Sequence, residues 1–341
     1  MNSNYYFSVN KKKWSIKPIE ERKVNKLIQD LNISDFLARL ICSRGITTDK
    51  AEDFINPSLR NQLPSPMLLK DMDLAVNRIS KAFINKEKIA IFGDYDVDGA
   101  TSSAVLYKSF KLFGNEPIIY IPDRIKEGYG PNIDALKILQ DQGVTLVVTV
   151  DCGMTAFKEL DYAKDINLDI IVVDHHAPEA KLPSAIAVIN PNRIDDNTGL
   201  GMLAAVGVSF MLVGALKSKL VEIKFIDESN IPNLSFLLDL VALGTICDVV
   251  PLVGANRALV KQGLRVMSKR QNNGINALFE VSEIDDMPSV FHAGFLLGPR
   301  INAGGRVGES SLGAKLLTTD NISEAKEISF HLNGLNEERK Q

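Results

Sequence analysis

Three short stretches of this chain place acids and imidazoles where they could do metal chemistry: Gly93-Asp94-Tyr95-Asp96-Val97-Asp98-Gly99, Asp151-Cys152-Gly153 and Asp174-His175-His176. Each directly follows a run of β-forming apolar residues, at 89–92, 146–150 and 170–173. A single Asp after a strand is by default a turn former or helix cap. Three such sites and a His pair together point to chemistry instead. In an open α/β sheet, ligands bind at the carboxyl ends of the strands, so the three runs deliver their acids to one edge. Carboxylates that converge without cations repel one another and rise in pKa, whereas bound divalent ions keep them ionised. Mixed Asp and His donors suit Mn²⁺ or another first-row ion, with Mg²⁺ at an oxygen-rich position. Two ions sharing a carboxylate, roughly 3.5–4 Å apart, form the arrangement used in phosphoester displacement. Asp151, alone on its strand, is the natural bridge.

Other chemistries fit less well. The stretch from Asp94 to Gly99 matches the opening of a calcium loop, but the twelfth position is Val105, where a bidentate Glu is required, and a strand rather than a helix precedes it. No phosphate-cradling G-x-x-x-x-G-K-[ST] occurs. Cys42, Cys152 and Cys247 lie far apart without a CxxC pair, which implies neither a disulfide framework nor a thiolate zinc site. Cys152 and Cys247 read as small buried residues. His292 reads as an ordinary helix or loop histidine, and Lys11-Lys12-Lys13 as a solvated tail. The start, residues 1–14, lacks the apolar core of a signal peptide, and no run is long enough to cross a membrane; a reducing cytoplasm is the expected setting. The net charge of -3 argues against a generally basic coat but leaves room for a local cationic groove.

The elements that must position these residues follow from periodicity. Residues 1–85 read as a mostly helical region, with helix-forming composition at 20–31, a turn capped by Asp35, and helical spacing at 71–83. From Lys88, short β-rich runs at 89–92, 118–121, 146–150, 170–173 and 186–189 alternate with helix-length segments at 101–113 and 132–142. That alternation predicts an α/β fold: a mainly parallel sheet flanked on both faces by helices, as its near-continuously apolar strands require. Further helices are expected at 235–248 and from 321 to the end. The expected organisation is an N-terminal helical region (1–85), a catalytic domain (86–318) and the start of a linker helix (319–341).

The three acid motifs resemble the first three motifs of the DHH phosphoesterase superfamily, and Gly244-Thr245-Ile246-Cys247-Asp248-Val249-Val250-Pro251-Leu252 resembles its fourth. Within that superfamily, four further features are similar to the RecJ family: Pro122-Asp123-Arg124 with Glu127-Gly128-Tyr129-Gly130, the segment 203–210, Gly298-Pro299-Arg300-Ile301-Asn302-Ala303-Gly304-Gly305-Arg306, and a leading region with Ser43-Arg44-Gly45-Ile46 and Asn56-Pro57. The resemblance implies that Asp96 binds one metal and Asp98 the other. Asp151 would bridge the two, and His175 and Asp248 would complete the second site. Asp94 and Asp174 would support them, and His176 would steer the scissile phosphate or leaving oxygen. Asp248 also ends an apolar run that can present one acid inward. Arg300, Asn302 and Arg306 are expected in a Gly-rich phosphate-holding loop, with Arg124 and Tyr129 as DNA contacts. The implied activity is Mn²⁺- or Mg²⁺-dependent 5′→3′ hydrolysis of single-stranded DNA to mononucleotides with two ions, serving DNA repair and recombination. A single-strand-binding protein or helicase would be a partner. Family members continue into a second domain and an OB-fold, whereas this sequence stops in what reads as the connecting helix. Two alternatives share the superfamily: a phosphodiesterase of short oligonucleotides or cyclic dinucleotides, and a non-enzymatic replication scaffold. The second would be expected to lose ligands that are all present here.

Overall fold

The structure, a computed structural model, describes residues 5–15, 17–307 and 309–340; Met1 to Asn4 of the leading segment lie outside them. The chain divides into two units, residues 1–62 and 63–341. The first unit opens with an antiparallel hairpin, β1 (Tyr5–Phe7) and β2 (Lys13–Ser15), pairing Tyr6 with Trp14. The lysines read as a solvated tail therefore lie in its turn and second strand. Four helices follow: α1 (Glu21–Leu31), α2 (Asp35–Ser43), α3 (Ala51–Ile55) and α4 (Leu59–Gln62). Val24 and Leu27 of α1 meet Ala38 and Ile41 of α2, at the three-residue spacing that puts each pair on one helix face. The cap of α2 is Ser34, whose Oγ accepts the Leu37 N–H at 3.3 Å, rather than Asp35. Asp35 takes the first helical position and binds Arg39 instead.

The second unit is built on α5 (Met72–Ile84), β3 (Lys88–Gly93), α6 (Val97–Leu112), β4 (Ile118–Tyr120), α7 (Ile133–Asp141), β5 (Val144–Val150), α8 (Phe157–Asp165), β6 (Asp169–Val173) and β7 (Ala187–Ile189). The strands form one parallel sheet in the order β4-β3-β5-β6-β7. Strands β3, β5 and β6 are buried nearly throughout, on both faces, as their unbroken apolar runs require. One face packs Phe92, Val147 and Ile170 on Leu136 and Leu139 of α7 and Leu160 of α8. The first crossover goes outward from β3 to β4 and the next returns past it to β5, so the winding reverses between β3 and β5. Such a reversal opens a crevice at the strands' carboxyl ends.

A helical layer completes the unit: α9 (Ala205–Glu222), α10 (Leu238–Cys247), α11 (Gly254–Met267), α12 (Asn273–Val281), α13 (Gly298–Arg306), α14 (Leu312–Thr318) and α15 (Ile322–Lys340). Three expectations change here. The single helix expected at 235–248 is a short 3₁₀ turn, Leu234–Leu237, followed by α10. The Gly-rich stretch at 298–306 is helix α13, entered from a π-helical turn at His292–Leu297. The helix expected at 101–113 begins earlier, at Val97, because Asp96 caps it. Among the described residues no helix is long and apolar enough to cross a membrane.

Candidate metal centre

The loop leaving β3 is shaped by its acids. Asp96 Oδ1 accepts the Gly99 N–H at 3.0 Å and starts α6. A Cβ at Gly99 would lie 2.4 Å from the Asp94 carbonyl oxygen, so only glycine lets this loop fold back on itself. Asp98, in the first turn of α6, is almost wholly buried and accepts the N–H groups of Ala205 (2.6 Å) and Val206 (2.9 Å). The segment 203–210 singled out in the sequence is thus the N-terminus of α9, which grips Asp98. A Cβ at Gly244 would come 3.0 Å from Asp98 Oδ1 and 2.2 Å from Thr101 Oγ1, so α10 reaches α6 only through a glycine.

Asp151 leaves β5 in the left-handed region (φ 60°), a conformation that costs a non-glycine residue on the order of 1 kcal/mol. Its N–H is fixed by the Val173 carbonyl at 3.0 Å and its carbonyl by the Tyr129 hydroxyl at 2.9 Å. Asp174 leaves β6 and accepts four donors: the N–H groups of His175 (2.7 Å), His176 (3.1 Å) and Met154 (3.1 Å), and His176 Nδ1 (2.7 Å). Asp248 ends α10, and the next residue, Val249, is an exposed β-branched residue at φ 62°.

These elements converge on His175. Its Nε2 lies 3.4 Å from Asp151 Oδ1, 3.6 Å from Asp248 Oδ2 and 3.8 Å from Asp98 Oδ2. Three overlapping groups bring one donor atom each within 4.8 Å of one another: Asp94, Asp96 and Asp151; Asp98, His175 and Asp248; Asp151, His175 and His176. Buried Asp94 Oδ1, Asp151 Oδ1, Asp248 Oδ2 and His175 Nε2 have no hydrogen-bond partner. Burial and then neighbouring carboxylates push Asp94 up to about 8 and Asp248 up to about 6, and raise Asp98 and Asp151 as well. Burial, with His176 alongside, lowers His175. Burial also works against Asp174, but its donors, His176 foremost, prevail and hold it below the ordinary carboxylate range. His176 is raised in turn by that bond. Carboxylate oxygens crowded around one imidazole nitrogen, with those of Asp151 and Asp248 and the nitrogen itself unsatisfied, fit a divalent cation.

A second row went unnoticed in the sequence. Asn190 and Asn192, in the loop after β7, donate side-chain amides to the carbonyls of His176 (2.9 Å) and His175 (2.5 Å). Their separation from the pair by 14 and 17 positions leaves no local signal. Tyr95, between two of the acids, carries Arg124 over its ring at 4.6 Å, which places that guanidinium beside the loop. The Tyr129 ring meets His176 edge-on at 6.2 Å. Gly305 abuts the Tyr95 ring, so the end of α13 and exposed Arg306 lie next to the acids. Arg300, expected in a loop, is a buried helical residue whose guanidinium donates to Leu296 O (2.7 Å) and Asn333 Oδ1 (2.9 Å). Asn302 sits in the same helix with a buried, unpartnered Oδ1.

A doubly wound parallel sheet with acids and a His pair at its switch point defines a candidate metal-binding α/β fold, and comparison with known proteins gives its family. The family model described as the DHH family, N-terminal domain, matches residues 88–245. The single-stranded-DNA-specific exonuclease RecJ of Salmonella typhimurium (strain LT2) is 40% identical over 315 residues, covering 91% of this chain and 54% of that protein. A crystal structure of exonuclease RecJ bound to manganese superposes with a TM-score of 0.72 at 33% identity, covering 80% of this chain and 67% of that one. RecJ of Thermus thermophilus in complex with Mn²⁺ superposes at 0.79 with 30% identity, covering 96% and 45%. The chain belongs to the DHH family, in its RecJ branch. It spans about half the length of the curated relative from Salmonella.

Proposed function

We propose that this chain carries the catalytic core of a divalent-metal exonuclease that hydrolyses single-stranded DNA from its 5′ end to mononucleotides, in DNA repair and recombination. The observation that carries this reading is the unsatisfied His175 Nε2 within 3.8 Å of three carboxylates from three different elements. In the proposed assignment Asp96, Asp98, Asp151, His175 and Asp248 hold two Mn²⁺ or Mg²⁺ ions, with Asp151 between them. When bound, such ions neutralise phosphate charge and acidify a water toward neutral pH. Asp94 adds a nearby carboxylate. Asp174 fixes His176 by its Nδ1, so a protonated His176 keeps its Nε2 hydrogen for the scissile phosphate or the leaving oxygen. Arg124, held over Tyr95, and Arg306 supply cationic contacts to the strand, and Tyr129 a ring for stacking. Arg300 shapes the neighbouring helix, and Asn302 keeps an acceptor there. The proposed organisation is a helical leading region (1–85), the catalytic domain (86–318) and the start of a linker helix (319–341). A cytoplasmic setting and a single-strand-binding protein or helicase as partner complete the reading.

The test is nucleotide release from 5′-phosphorylated single-stranded DNA with Mn²⁺, with Asp151→Ala alongside. Release from the 5′ end that disappears in the variant supports the proposal. Release from the 3′ end, or release that survives the substitution, overturns it. Preference for two- to four-nucleotide substrates over long strands would favour the short-oligonucleotide phosphodiesterase alternative.

A further inference from the structure

Helices α6 and α10 carry acids at both ends of their packed pair. Asp98 and Asp248 lie at the metal end. Asp239 stands nine residues before Asp248, on the order of 13 Å away at 1.5 Å per residue. At that far end is a cavity of about 440 Å³, whose walls include Pro232, Phe236, Leu237 and Leu240 beside Asp239 and Gln271. This size is ordinary for a small-molecule site.

Asp239 is only 3% exposed, and burial pushes its carboxyl up to about 7. Its donors are main-chain only: the Leu240 N–H at 2.7 Å and its own. Lys108 lines the same cavity and its charge favours the Asp239 carboxylate, but it makes no direct bond to it: its Nζ is held by Thr318 O at 3.3 Å and Asp320 Oδ1 at 3.6 Å. Asp239 is the second residue of α10, and the free N–H groups of that first helical turn account for the main-chain bonds. A first-turn acid works as well in open water, however, and gains nothing from apolar walls that raise the cost of its charge. A ligand with N–H donors would offset that cost.

We propose that this cavity binds a guanine base, with the adjacent N1–H and N2–H groups donating to the Asp239 carboxylate and the ring lying against Phe236. A cationic ligand fits less well: an ammonium is compact and strongly hydrated where the walls are apolar, and Lys108 would repel the charge of an ammonium or a guanidinium alike. Guanine is neutral, planar and presents an O6 acceptor beside its donors, suited to the Gln271 amide or the Lys108 ammonium. Adenine lacks the paired donors. The site stands apart from the acid cluster and does not rest on the proposed nuclease activity.

Calorimetric titration of the whole chain with guanosine, inosine, adenosine and agmatine tests this. Guanosine binds, inosine binds several-fold more weakly for want of the 2-amino group, and adenosine gives no heat. Asp239→Asn weakens guanosine at least tenfold without lowering the melting temperature. If that variant does not fold, Gln271→Ala and the guanosine-to-inosine ratio carry the test. The proposal is overturned by silence with guanosine at several millimolar, by equal binding of adenosine, by agmatine binding alone, or by guanosine affinity that Asp239→Asn leaves intact.

Discussion

The parallel sheet carries charge at both ends of its strands, and the two ends are balanced differently. At the amino ends Arg78 Nε donates to Asp169 at 2.6 Å and its Nη2 to Glu87 at 2.7 Å, while Thr145 donates to Glu87 at 2.7 Å. Both of these acids have donors. At the carboxyl ends Asp94, Asp96, Asp98, Asp151, Asp174 and Asp248 face two histidines, and several of their buried oxygens have no donor. A fold that can neutralise carboxylates at one edge and leaves them unneutralised at the other is holding the second edge for a ligand. The amino end contributes stability, and the carboxyl end gives up stability for binding.

Substitutions at the two ends should therefore differ in kind. The largest effect is expected for Asp151→Ala, which should cut metal-dependent hydrolysis by roughly 10³-fold or more, as several kcal/mol of charge stabilisation are lost. In metal-free protein, Asp151→Asn should raise the melting temperature, because it removes one of the mutually repelling charges. A lowered melting temperature would mean that the acid is structural and the contrast is false. Arg78→Met should do the reverse, costing about 2 kcal/mol by leaving Glu87 and Asp169 without their cation in a half-buried site. Burial pushes Glu87 up, but Thr145, Arg78 and Asn85 outweigh it and hold the carboxyl below its ordinary range. A depressed acid contributes stability above its unfolded pKa and loses it as pH falls through the folded value. The melting difference between wild type and Arg78→Met should accordingly narrow from about pH 6 to about pH 3; a constant gap would rule out the ion pair as its source. Asn192→Ala, which frees the His175 carbonyl, should weaken Mn²⁺ affinity about tenfold with little effect on melting, as measured by calorimetry alongside thermal unfolding.

What was legible in the sequence follows the same division. Acids immediately after apolar runs are a local pattern, and Asp94, Asp96, Asp98, Asp151, Asp174 and the His pair all fall at one sheet edge. Parallel pairing was legible from the alternation of short strands and helices. The supporting contacts were not. Asn190 and Asn192 act from the loop after β7 on main-chain carbonyls, and Tyr95 gains its place only when Arg124 and Gly305 close on it. The stretch 298–306 reads as loop because of its glycines, yet it is helical. Gly298 admits Cys247 Sγ and Gly305 admits the Tyr95 ring, so tertiary packing overrides weak propensity. Ser34 rather than Asp35 caps α2 because the cap residue keeps extended backbone just outside the helix, a distinction of one position that periodicity cannot make.

The carboxyl-end acids should be unneutralised in the free protein because divalent metal completes them. Calorimetric titration of Mn²⁺ into metal-free wild type and Asp151→Ala tests it without depending on turnover. Wild type should bind Mn²⁺ and gain melting temperature with it, while the variant loses both responses. Equal binding by the two proteins, or none by wild type, would mean that these acids do not hold metal.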